Sequence, residues 1–143
     1  MNENDEGRVG ILMCAGCAFV CLLLFVSIAL TEVAMQDRRL VSCADALASA
    51  GVSGASSSTV FAGGSIGVDE ETASSRVDRA LSGLSESTCR VGDGVSVSWV
   101  SVSSGEVEVG VKARPMVSLM PPPLRGVMVP ELARTSSARL RQV

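Results

Sequence analysis

The chain has no histidine and no tyrosine among its 143 residues, and aromatics make up only 3% of it. Without imidazole there is no Ser-His-Asp or Cys-His catalysis and no His-ligated metal site. Basic residues are also scarce: 12 Lys and Arg stand against 15 Asp and Glu, for a net charge of -3. Nucleic-acid binding needs a clustered positive footprint, which is missing. An enzyme is therefore not expected, nor is a nucleic-acid partner, a small-molecule substrate, a cofactor or a metal.

Aliphatic and small residues are abundant. Hydrophobic residues reach 47% with almost no aromatics. That combination implies apolarity concentrated in one place, plus a light remainder rich in Ser, Gly and Val. The length allows one domain with an appended segment.

The apolarity is concentrated near the amino terminus. A short polar stretch, residues 1–10, precedes ILMCAGCAFVCLLLFVSIAL, residues 11–30, which carries no charge and has Ser27 as its only clearly polar member. As a helix this run is about 30 Å long, the thickness of a bilayer core. A transmembrane segment is expected. A buried core helix and a cleavable signal with a cut after Ala34 are the alternatives. The signal reading is weakened by the run's length and by a polar flank with three acids against one Arg.

Helix-compatible residues follow without a breaker, and Leu40, Ala44, Leu47 and Ala48 keep a spacing of three and four. The pattern predicts one continuous helix from about Gly10 to about Ala50, with residues 31–50 outside the membrane. Gly51 and Gly54 read as stop signals. Residues 51–67 form a Ser/Gly-rich linker. Within it, GGSIG at 63–67 resembles part of a phosphate loop but lacks the Lys.

The rest, residues 68–143, reads as a small α+β domain. A second helix is predicted over residues 69–86, with Asp69 as its cap and an apolar stripe of Ala73, Val77, Ala80, Leu81 and Leu84. Glu70 and Glu71 fall in its first turn, where the helix dipole favours acids; a cation site is the other reading. GVSVSWVSV (94–102) and EVEVGVKAR (106–114) alternate around Ser103, Ser104 and Gly105 and predict a hairpin. Val95, Val97 and Trp99 are expected on one face, and Val107, Val109, Val111 and Ala113 on one face of the partner strand. Pro121, Pro122 and Pro123 break the chain next. The tail is read as a third strand, with a short helix as the alternative. The sheet has two or three antiparallel strands and needs the second helix on its apolar face.

Of the five cysteines, Cys14, Cys17 and Cys21 lie at i, i+3 and i+7 and share a helix face with Gly10. Inside a membrane such a stripe of small residues suits the close approach of another helix. A metal or redox reading of C-x2-C and a lipoprotein signal at C-A-G-C fit less well, because the apolar run continues past Cys17. Cys43 and Cys89 lie outside the span. In an oxidising compartment they could pair, closing a loop of about 47 residues worth about 4 kcal/mol. Two unrelated thiols is the competing reading.

The order EGRVG, apolar span, QDRRL and CADALASAG resembles the TadE/TadG-like proteins of the Flp (tight adherence) pilus apparatus, especially their short actinobacterial members. Ala44, Asp45, Ala46, Leu47, Ala48 and Ala50 match the family's Ala-rich stretch after the span. The resemblance is specific over residues 6–51. Beyond that it extends to architecture only: a helix, a Val-rich hairpin, a Pro break and a terminal strand. It implies a non-catalytic, single-pass pilin-like subunit or assembly component, whose partners are the bilayer and other pilin-like or Tad secretion components. It also implies an extracytoplasmic carboxyl-terminal domain, whereas Arg38 and Arg39 against Arg8 lean mildly the other way under the positive-inside rule. The family's prepilin peptidase site has Glu five residues after a Gly. Here Leu12 and Ala15 stand in that position, which points to an uncleaved, TadG-like anchored subunit. A membrane-tethered or secreted binding module for an envelope partner is the second reading. On the first reading, the Ala/Ser/Gly ribbon lets neighbouring helices lie close outside the membrane. Asp45 then either pairs with a basic group on a neighbour or is solvated.

Overall fold

A computed structural model describes residues 3–53, 69–121, 123, 127 and 129–139. The fold is α+β. Helix α1 spans Glu3–Ser53 and α2 spans Glu70–Leu84. Strands β1 (Val95–Ser103), β2 (Glu106–Ala113) and β3 (Leu132–Arg139) form an antiparallel sheet in the order β1-β2-β3. The linker beyond Ser53 and the GGSIG segment lie outside the described residues, as does Pro122.

The first half of α1 stands apart from the rest. Its most apolar stretch is entirely unburied, with Leu12, Phe19, Leu24 and Leu30 all more than half exposed. Ser27 donates its hydroxyl to the Leu23 carbonyl, and Thr31 donates to the Ser27 carbonyl. These back-bonds satisfy the only hydroxyls on the stretch from within the helix, as a lipid environment demands.

The second half of α1 is the spine of the domain. Leu40, Cys43, Ala44, Leu47 and Ala48 are fully buried at a spacing of three and four. They face Val107, Val109 and Val111 of β2 and Ala73 and Val77 of α2 in one core. The helix is longer at both ends than its patterning predicts. It starts at Glu3, and Gly51 does not stop it. Gly51 instead marks a point of close approach: a Cβ there would sit 2.9 Å from Val107 Cγ1 and 3.4 Å from Val77 Cγ2. Small residues at 44, 48 and 51 thus bring α1 down onto the chain's own sheet and second helix.

Asp69 stands at the N-cap of α2, but its side chain makes no capping bond to the backbone; it accepts a long 3.5 Å bond from the Thr72 hydroxyl. The stripe is graded, with Ala73 and Val77 buried and Ala80, Leu81 and Leu84 packed at the core's edge. The hairpin turns at Ser104 and Gly105, both with positive φ (50° and 78°), a combination whose twist suits a two-residue connection.

The face assignment of Trp99 needs correction. Val97 pairs with Val111 and Trp99 with Gly110, so Ser98 is the extra residue of a β-bulge. The bulge switches sides: Val95, Val97, Val100 and Val102 pack at the core, while Trp99 lies on the outer face. There the indole fills the space above Gly110, where an added Cβ would collide with it. Gly110→Ala should push the indole towards solvent at a cost of about 1–2 kcal/mol. Trp99 is the only tryptophan, so a red shift of the intrinsic emission reads this directly.

Candidate functional site

The described residues contain no group of three Cys, Asp or Glu able to hold a metal ion. Glu70 and Glu71 project from the first turn of α2, both exposed. Chemistry-bearing residues concentrate instead along α1, on two surfaces.

The first surface is in the apolar half. Cys14, Cys17 and Cys21 are reduced and exposed, and Gly10 has open space around its Cα. No described residue of the chain packs on this face, so it is free to receive another helix.

The second surface is where α1 meets the domain. Cys43 and Cys89 form a disulfide, with Cα atoms 4.9 Å apart across a sequence separation of 46. It ties the carboxyl-terminal part of α1 to the turn after α2. Six residues earlier on α1, Asp37 forms an ion pair with Arg134 of β3: Arg134 Nη2 donates to Asp37 Oδ2 at 2.9 Å, and Nε lies 2.9 Å from Oδ1. The aspartate raises the guanidinium pKa further, by hydrogen bonding and then by charge. Asp45 accepts a short 2.5 Å bond from the Ser136 hydroxyl. Arg134 and Ser136 alternate along β3 and therefore point to the same side, towards α1.

These contacts revise the reading of the Ala-rich stretch. Ala44, Leu47 and Ala48 are buried inside the chain, Ala46 and Ala50 are half-buried, and Asp45 bonds a serine of the same chain. The buried residues of the ribbon pack within the molecule, which leaves only its exposed side, with Val41, Ser42, Asp45 and Ser49, for a neighbouring helix. The aspartate is exposed and accepts a bond from a hydroxyl of its own chain. Sequence reading could not find Asp37, Gln36 or Glu32, whose partners lie 80 or more residues away.

A further clip closes the sheet at the end remote from the span. Arg139 Nε donates to Glu106 Oε2 at 2.6 Å. The Ser137 hydroxyl, and after it Arg139, holds the Glu106 carboxyl below its usual range. A lowered folded-state pKa gives stability that is complete above the unfolded-chain value and is lost as pH falls through the folded one. Glu106→Gln should therefore lower the denaturation midpoint near neutrality. Its deficit against wild type should close below about pH 4, a trend that urea titrations across pH would follow.

The arrangement joins an exposed apolar helix to a small, disulfide-bonded, ion-paired domain. No family model, no curated protein and no solved structure matches the chain.

Proposed function

We propose that this protein is a non-catalytic, single-pass membrane subunit of a Flp/Tad-type pilus or a related secretion assembly, with its small domain outside the cytoplasm. One observation carries the reading. The exposed apolar half of α1 continues without a break into the buried spine of the domain, so one helix would serve as both anchor and scaffold. A lipid bilayer would cover the first half, and the stripe of Gly10, Cys14, Cys17 and Cys21 would receive a partner helix. The Cys43–Cys89 bridge supports an oxidising compartment for the domain. The resemblance to TadE/TadG-like proteins rests on the residues of α1 quoted above.

The burial of the Ala ribbon favours the second reading, a membrane-tethered binding module, because it leaves less helix surface for subunit packing outside the membrane. Tagged protein purified from membranes separates the two. Co-isolation with the secretion ATPase and platform proteins of the pilus apparatus is the expected result. Recovery without them, or release of the domain into the medium, would replace the first reading by the second.

A further inference from the structure

The connection from β2 to β3 runs past the middle of α1, and it is unusually apolar for a loop. Residues 115–124, PMVSLMPPPL, carry no charge. Its path is fixed by side chains of α1. Gln36 Nε2 donates to the Met116 carbonyl at 2.5 Å, and the Met116 amide donates to Gln36 Oε1 at 2.8 Å, so the side-chain amide pairs with the backbone on both sides. Two residues on, the Ser118 amide donates to Glu32 Oε2 at 3.0 Å. From Gln36 to Glu32 is one helical turn, about 6 Å, towards the apolar run. Two extended residues cover about the same distance. The loop therefore descends alongside α1 in the direction of the span.

It then reverses. The Met120 amide donates to the Val117 carbonyl at 3.1 Å, closing a tight turn over Val117–Met120. Val117 is buried, and Leu119 occupies the outer corner with 51% of its surface exposed. Gly, Asn, Asp and Ser are the usual residues at such a corner. Met116, at 40%, and Val127, at 86%, are exposed apolar residues of the same connection.

The height of this turn identifies its partner. Glu32 is two residues past Leu30, the end of the uncharged run, so Ser118 sits about 3 Å beyond it along the helix axis. The polar layer on each side of a bilayer is about 5–7 Å deep. We infer that the Val117–Met120 turn is a second membrane contact, with Leu119 entering the boundary between headgroups and acyl chains of a lipid surface. It is continuous with the apolar belt of α1, and the absence of charge along it suits neutral lipid. Two points of contact, span and turn, would fix the tilt and rotation of the domain above the bilayer. The inference rests on the single-pass reading of α1.

The test uses the full chain in phosphatidylcholine vesicles, with bromine placed either near the carbonyl end or near the tail of the acyl chains. In a Trp99→Phe background, Leu119→Trp and Val127→Trp report the loop, Phe25→Trp reports the span, and the native Trp99 reports the far face of the sheet. The expected result is that Leu119→Trp is quenched several-fold more by shallow bromine than Trp99 is, while Phe25→Trp responds to deep bromine. If Phe25→Trp is quenched but both loop reporters are reached only by aqueous acrylamide, the span stands and the loop contact is overturned. If Phe25→Trp is also unquenched, both fall. Shielding of Leu119→Trp that depends on protein-to-lipid ratio and ignores bromine would mean that a second copy covers the turn, and would overturn the lipid contact too.

Discussion

Replacing Cys43 and Cys89 together by Ala is expected to destabilise the domain by about 4 kcal/mol, the loop-closure entropy for a bridge spanning 46 residues. For a domain of this size that is a fall in Tm on the order of 20 °C. The effect is large because the core is light. Among the described residues, the fully buried side chains are Leu, Val, Ala and Cys, with no aromatic. The bridge also replaces what a bigger core would supply, holding α1 to the turn that delivers the chain into β1. Thermal unfolding of the detergent-solubilised chain, with and without reductant, measures it. Wild type under reductant should approach the double variant. A double variant within a few degrees of wild type would show that packing alone holds α1 in place.

Leu47→Ala should cost about 3 kcal/mol, the usual range for emptying a buried leucine site. Leu47 is fully buried with Val77, Val107 and Val109 in the same core. The surroundings have little freedom to collapse into the space, since Ala44, Ala48 and Gly51 already hold α1 close to the sheet. Val41, off that stripe and 40% exposed, is the control; Val41→Ala should stay within about 0.5 kcal/mol. Urea midpoints for the two variants make the comparison. A midpoint that drops while the slope stays the same is a loss of stability and not a change in the unfolded chain. Near-equal effects would place α1 off the sheet, and the ribbon would again be available to other subunits.

The elements themselves are legible in the sequence because each follows its own period. The spacing of Leu40, Ala44, Leu47 and Ala48 shows the helix, and the alternation of Val107, Val109 and Val111 shows the strand. The uncharged run from Ile11 to Leu30 is as plain. Three things were not legible. Ser98 gives no sign of a bulge, because whether a Ser is inserted or paired depends on the opposite strand. Only the pairing of Trp99 with Gly110 reveals why the indole leaves the core side. Gly51 carries the residue type of a helix stop but serves as a packing contact, a difference that local sequence cannot hold. Most of all, the roles of Glu32, Gln36, Asp37 and Asp45 depend on partners 80 to 97 residues away. Local patterning could say that the ribbon is built for close packing. It could not say that the neighbour is the chain's own sheet.

If one helix both anchors the chain and forms the spine of a disulfide-bonded domain, the span must persist in the mature protein and only three of its thiols can be free. Intact-mass spectrometry of protein extracted from the membrane fraction, alkylated under denaturing conditions without reductant, tests it most directly. The expected mass retains residues 11–30 and carries alkyl groups on Cys14, Cys17 and Cys21 only. A chain beginning at Met35, or one alkylated at Cys43 and Cys89 as well, would contradict it.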